Sequence, residues 1–486
     1  MRWSLICLGC CAVASAALAS PDGPDPGNDD AAPEGIVSRA SGRPDHPRSL
    51  EEIVQSGYIR VLTRNNDTSY FIYRGHRTGF DYELGKALAK HLNIRVDMIV
   101  TQGWSEMVPA LLKGDGDVIA AQVSITEARR KQVLFARPWG STREVVVWRN
   151  GTESIGSAED LSGKEVHVRG GSSYYGTLTA LNEQLTAAGK PPIVIRIAPD
   201  EEETDSLLEK VSRGEIPYTM ADDLLANLHT AYWPALVVGP AISAERKLAW
   251  AVRPGDVQLK QAIDDVFSEL RKKPDFNLLK HKYFEAKRSL RQERKDQFYA
   301  SETGALSSYD PMFRKYAGQH GFDWRLVAAQ IYQESNFDPL RKSWTGALGL
   351  YQIMPATAKE LGIEDPLDAE QSIRGGLRYM DQLRKRYKDV ADPIERHRFA
   401  LAAYNTGFGH VDDARRLAQR DGKSTAVWRE VAPYLLKLSD PRIARKTRFG
   451  HCRGTEPVDY VQDIDERYTA YVQLLPASTT AEVQSD

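Results

Sequence analysis

The hydrophobic period changes once along this chain, and that change limits the folds open to it. From Leu50 to about Phe284 strand patterns alternate with helical ones, whereas from about Ser307 to Leu475 the pattern is helical throughout. YIRVL (Tyr58 to Leu62), IRVDMIV (Ile94 to Val100) and DVIAAQV (Asp117 to Val123) read as strands. Between them Phe80, Leu84, Leu88 and Leu92 share one helical face, and MVPALL from Met107 starts a further helix. Such alternation predicts an α/β domain with mostly parallel sheets over residues 50–285. With 486 residues the chain is too long for one ordinary core, so residues 307–475 are expected to form a separate, mainly α-helical domain. The charged stretch AKRSLRQERKDQFYASETG lies between them and is expected to be a helical connector, residues 286–306.

The ends read differently. Met-Arg-Trp, then an apolar run from Leu5 to Ala17-Leu18-Ala19, has the form of a secretory signal, residues 1–19. Leu8-Gly9-Cys10 resembles the end of a lipoprotein signal, so lipidation at Cys10 competes with cleavage after Ala19. Residues 20–49, rich in Pro, Gly, Asp and Ala, are expected to form a disordered tether, and residues 476–486 a disordered tail. Cys7, Cys10 and Cys11 fall in the signal and leave Cys452 alone, which excludes a disulfide framework. Lys plus Arg (64) nearly balances Asp plus Glu (66), which argues against a nucleic-acid partner. No cofactor and no metal site are expected.

The most chemically informative stretch is DWRLVAAQIYQESNFDP, Asp323 to Pro339. Val327 and Ile331 lie one helical turn apart, and Glu334 three residues on sits at the edge of that apolar face. Asn336, Asp338 and Pro339 stop the helix. A glutamate partly withdrawn from water there keeps its proton to higher pH and can give it to a leaving-group oxygen. The competing reading pairs Glu334 with Arg341 or Lys342. Asp338 is better explained as a helix stop than as the second carboxylate of an ordinary glycosidase.

Glu334-Ser335, then GALGLYQIMP (Gly346 to Pro355), then AAYNTG (Ala402 to Gly407) resembles the lytic murein transglycosylases with a lysozyme-like fold. The resemblance implies cleavage of the β-1,4 bond from N-acetylmuramic acid to N-acetylglucosamine in peptidoglycan glycan strands. It implies that Glu334 acts as acid and then base, giving a 1,6-anhydro sugar. It also implies supporting roles for Ser335, Gln352, Met354, Tyr404, Asn405 and Tyr460. Ser335 is equally explained as a helix-end hydroxyl, and Met354 and Tyr460 as core.

GFDYELGKALAK, DVIAAQVSITEARRKQVLFARPW and GEIPYTMADDLL resemble the extracellular solute-binding proteins that take up amino acids. The implied fold is two α/β lobes with a ligand cleft between them. Thr126 and Arg129 offer a hydroxyl and a guanidinium to a carboxylate, and a helix start at Ser172 or Ser173 favours the same anion. Asp222 stands where the resemblance places the carboxylate for the ligand's ammonium, although Asp223 beside it could equally cap a helix. Tyr70 or Tyr73 and Trp104 are candidate aromatic walls. The expected ligand is an amino acid or a small wall peptide. The expected location is the periplasm of a Gram-negative bacterium, peripheral to or anchored at the outer membrane. Two other readings stay open: a muramidase-type hydrolase, and an exported receptor with a non-catalytic wall-docking domain.

Overall fold

The computed structural model describes residues 46–475, so the signal, nearly all of the tether and the tail lie outside the described residues. The chain divides into two compact units, one ending at Ala305 and joined by 473–475, the other running from Leu306 to Val472.

The first unit holds two five-stranded sheets. In one, Arg95–Val100, Tyr58–Thr63 and Val118–Ile119 run parallel, Ala251–Val252 runs against them, and Leu134–Phe135, antiparallel to Ala251–Val252, ends the sheet in the direction of the parallel set. In the other, Val194–Ala198, Glu165–Arg169 and Tyr218–Asp222 are parallel, Glu144–Arg149 runs against them, and Leu236–Ala241, antiparallel to Glu144–Arg149, ends the sheet in the direction of the parallel set. The mixed character has a topological cause. The chain leaves the first sheet after Phe135 and returns before Ala251, and the outgoing and returning segments pair as Gly140–Thr142 with Arg246–Leu248. The first strand of each sheet after a crossing, Glu144–Arg149 and Ala251–Val252, runs against the parallel set. The result is a two-lobed α/β unit.

Helix Phe80–His91 buries Phe80, Leu84 and Leu88, as the period demands, while Leu92 is its C-cap. The expected strand 117–123 shrinks to Val118–Ile119. Gln122 takes a left-handed φ of 54° and turns its amide onto the Thr68 and Ser69 hydroxyls, which ends sheet pairing. Part of the expected tether is folded: Arg48 is buried and pairs with Asp117, which Arg60 also clasps at 2.9 Å. Burial alone would push Asp117 up, but those guanidiniums hold it below the usual carboxylate range.

The charged connector is two helices rather than one, Lys287–Arg294 and Ala300–Thr303. The break is held by partners in the first unit. The Arg74 N–H donates to the Phe298 carbonyl, Tyr73 Oη–H donates to Asp296, and Tyr299 forms a β-bridge with Tyr73.

The second unit is helical. Asp323 caps Trp324–Ser335, whose C-cap Asn336 is left-handed at φ 55°. Around it lie Asp310–Gln319, Ala369–Arg386, Pro393–Thr406, Phe408–Arg420, Trp428–Lys437 and Thr455–Leu474. Gly376, inside Ala369–Arg386, lets the Tyr351 ring lie flush on the helix: a Cβ there would sit 2.3 Å from the ring.

Candidate active site and ligand cleft

Glu334 ends up in the last turn of Trp324–Ser335, where the helix axis carries it out of the core beneath a cluster of phenols. Tyr460, from Thr455–Leu474, donates its hydroxyl to Glu334 Oε1 in a short hydrogen bond. Gln330, one turn before Glu334, donates its amide to the same Tyr460 oxygen at 3.2 Å. Tyr460 thereby serves as a buried handle on the acid. Burial pushes the Glu334 carboxyl up to about 8, against the opposing pull of the Tyr460 hydrogen bond and the Arg341 charge. No carboxylate is among the groups that shift it, and no ion pair to Glu334 forms among the described residues. Arg341 therefore acts at a distance, and Lys342 does not pair with the acid.

Tyr404, near the end of Pro393–Thr406, donates its hydroxyl to the Tyr351 carbonyl at 2.7 Å. Burial first, and then the Glu334 charge, hold the Tyr404 phenol well above its ordinary range. Tyr351 is fully buried, and its hydroxyl has no hydrogen-bond partner among the described residues. Its phenol too is raised by burial and by Glu334. Asn405 follows Tyr404 in the same last turn and is half-buried, as is Met354, the N-cap of Pro355–Glu360.

Two supporting side chains are spent on their own backbone. The Ser335 hydroxyl donates to the Ile331 carbonyl at 3.1 Å, so its helix-end role displaces any hold on Glu334. The Gln352 amide donates to the carbonyls of Arg341 at 3.0 Å and Gly349 at 2.8 Å, which locks the loop and leaves only its carbonyl oxygen uncommitted. That loop also needs Gly349: φ is 75°, and a Cβ would meet the Pro366 carbonyl oxygen at 1.8 Å.

The chain matches the transglycosylase SLT domain model over residues 311–427 and the model for bacterial extracellular solute-binding proteins, family 3, over 59–286. Proteins named membrane-bound lytic murein transglycosylase F are similar over almost the whole length. That of Desulfosudis oleivorans is 37% identical, covering 88% of this chain and 92% of its own. Those of Aliivibrio fischeri and Pseudomonas fluorescens are 35% and 33% identical, covering 87% and 89% of this chain and 84% and 88% of theirs. The chain belongs to the membrane-bound lytic murein transglycosylase F family.

In this member of the transglycosylase F family, the solute-binding unit carries a cleft lined by Trp104, Arg129, Arg169, Ser172, Ser173 and Asp222. The Trp104 ring lies 4.6 Å from the Arg169 guanidinium and 5.9 Å from that of Arg129. Arg129 also donates to the carbonyls of Ser124 at 3.0 Å and Gly171 at 3.2 Å, so its head group is fixed in place. Ser172 is the N-cap residue of Ser173–Ala187, and its hydroxyl donates to the Arg169 carbonyl. Asp222 presents a buried Oδ1 with no partner among the described residues. Burial and then the Glu144 charge raise its carboxyl to about 7. Asp223, by contrast, accepts the Thr142 hydroxyl at 2.8 Å.

Two expected cleft residues are placed elsewhere. Tyr70 is 1% exposed and packs on Tyr82 with ring centroids 5.5 Å apart, so it belongs to the core. Tyr73 turns to Asp296 of the connector. The Thr126 hydroxyl caps a short helix by accepting the Arg129 N–H, which makes it a support for the guanidinium. Sequence reasoning missed Arg169, whose buried Nε and Nη1 have no hydrogen-bond partner among the described residues. Its position at the C-terminal end of a parallel strand was the available signal.

Proposed function

We propose that the helical unit is a lytic transglycosylase acting on peptidoglycan, with Glu334 as its only acid and base. The neutral carboxyl protonates the oxygen leaving the muramic acid C1, and the C1–O bond breaks. The substrate's own N-acetyl oxygen shelters the developing cation in place of the second carboxylate of an ordinary glycosidase. The carboxylate then takes the proton from the C6 hydroxyl of the same sugar, O6 bonds to C1, and no water is consumed. Tyr460 favours the ionised half of that cycle and burial the protonated half, so one group serves both steps. The observation that carries this reading is a half-buried glutamate raised to about 8 and held by a phenol instead of a cation.

The family name places relatives at a membrane, and no helix among the described residues is long and apolar enough to cross one. The proposed location is the periplasm with peripheral or lipid attachment at the outer membrane through the N-terminal segment. The cleft of the first unit is proposed to take an amino acid or wall peptide, with Arg129 for a carboxylate and Asp222 for an ammonium group. The test is mass spectrometry of purified sacculi digested by the wild type and by Glu334→Gln. Anhydro ends from the wild type and none from the variant are expected. Reducing ends carrying one more water would identify a hydrolase, and intact sacculi with both proteins would reduce the helical unit to a docking module.

A further inference from the structure

Beside the cleft, Asp67, Asp205 and His229 converge although they come from three distant places in the chain. All three are at least nine-tenths buried. His229 Nε2 lies 3.4 Å from Asp67 Oδ2 and 3.4 Å from Asp205 Oδ1, and among the described residues it has no hydrogen-bond partner. A tetrahedral ion with bonds of about 2.0–2.1 Å has edges of about 3.3–3.4 Å, so two edges of that figure are already in place.

The atoms facing away from this point are each fixed by a partner. His229 Nδ1–H donates to the Leu225 carbonyl at 3.2 Å, which leaves the Nε2 lone pair pointing inward. The Asp67 N–H donates to Asp205 Oδ2 at 3.2 Å. The Tyr299 hydroxyl donates to Asp67 Oδ1 at 2.5 Å. An oriented imidazole and two oriented carboxylates are what a metal site's outer partners provide.

We propose that Asp67, Asp205 and His229 form a divalent-metal site, best matched to zinc, with a fourth position open to water or to a ligand. One cation competes for it. Arg294, on the connector, donates to Asp67 Oδ2 and to Glu302 at 2.7 Å, with its guanidinium 4.8 Å from the Trp233 ring. Metal entry displaces Arg294 from Asp67 and leaves it on Glu302 and the indole face. Bound metal thereby replaces a direct tie between the connector and Asp67. No short motif marks the site in the sequence, because its ligands stand at positions 67, 205 and 229.

The test uses the full chain without an affinity tag, titrated with Co²⁺ as the spectroscopic probe and then with Zn²⁺ in competition. One equivalent of Co²⁺ should give the intense visible bands of four-coordination, and Zn²⁺ should bleach them. His229→Gln should weaken binding at least about a hundredfold. Arg294→Met should tighten it by about tenfold, since a buried unit charge no longer opposes the ion. Weak six-coordinate bands, or bands that His229→Gln leaves unchanged, would overturn the proposal. So would an Arg294→Met protein that melts earlier but binds Co²⁺ no better, because the cluster would then be a charge latch alone. The Arg294 variant keeps the test decisive should His229→Gln fail to fold.

Discussion

Replacing Glu334 by glutamine should remove a pH-dependent load from the helical unit as well as its chemistry. The carboxyl is raised from 4.5 to about 8, chiefly by burial. Below pH 4.5 both folded and unfolded chains hold the proton, and nothing is lost. As pH rises from 4.5 to about 8 the unfolded chain sheds its proton while the folded one keeps it, so stability falls across that window and then levels off. At about 1.4 kcal/mol per pH unit the full loss is at most about 5 kcal/mol. Because Glu334 is only half-buried, solvent screening brings the working figure to about 2–3 kcal/mol. For a unit of this size that is roughly 5–10 °C in Tm. Calorimetry of wild type and Glu334→Gln at pH 5 and pH 9 is the assay, read on the transition that the substitution moves. The two proteins should melt together at pH 5, and the variant should melt higher at pH 9. Parallel curves of Tm against pH would mean that the carboxyl titrates normally, and the acid role would lose its physical basis.

Tyr460→Phe deletes the hydrogen bond that favours the carboxylate, so the alkaline limb of cleavage should move above pH 8 and the rate fall roughly tenfold to a hundredfold; an unmoved limb in a pH–rate profile counts against the pairing. In the cleft, titration calorimetry with a free amino acid and with a wall-stem tetrapeptide should show affinity rising as pH passes through about 7. Asp222→Asn should bind weakly at every pH tested, and a variant that keeps the wild-type slope would remove Asp222 from the site. Gly376→Ala drives a methyl into the Tyr351 ring and should cost about 1–3 kcal/mol in chemical denaturation, with cleavage reduced because Tyr351 carries the carbonyl that holds Tyr404. Trp344, 68% exposed on the loop that Gln352 locks, is suited to stack on sugar; Trp344→Ala should leave Tm unchanged and weaken sacculus pelleting several-fold, and undiminished pelleting would exclude the loop from the substrate path.

Glu334 was legible because helical spacing places it at the rim of an apolar face and the Glu-Ser, GALGLYQIMP and AAYNTG blocks resemble a known family; spacing alone left an ordinary ion pair open. Its handle was not. Tyr460 follows 126 positions later, and only family resemblance pointed to it; Gln330 gave no local signal, and Tyr351 stood inside the GALGLYQIMP block with no role of its own. Tyr70 misled for the opposite reason. Aromatic residues next to a short strand read alike whether they face a cleft or a core, and packing against Tyr82 decided the matter. Ser335 and Thr126 show a third limit: a hydroxyl near a helix end satisfies backbone groups within four residues before it reaches a ligand. The parallel cores of both sheets followed from strand–helix alternation, while their antiparallel strands depended on how often the chain crosses between lobes.

The Arg48 guanidinium spans Asp117, the Ser56 hydroxyl and the Tyr58 carbonyl at once, and the Arg48 carbonyl accepts from Arg253 at 3.0 Å. Any trimming from the N-terminal side therefore meets a floor. A product trimmed to begin at Ser49 forfeits all four attachments beside a buried carboxylate, whereas one retaining residue 48 keeps them. The lower limit for shortening this module is set by electrostatics, not by where greasy side chains begin.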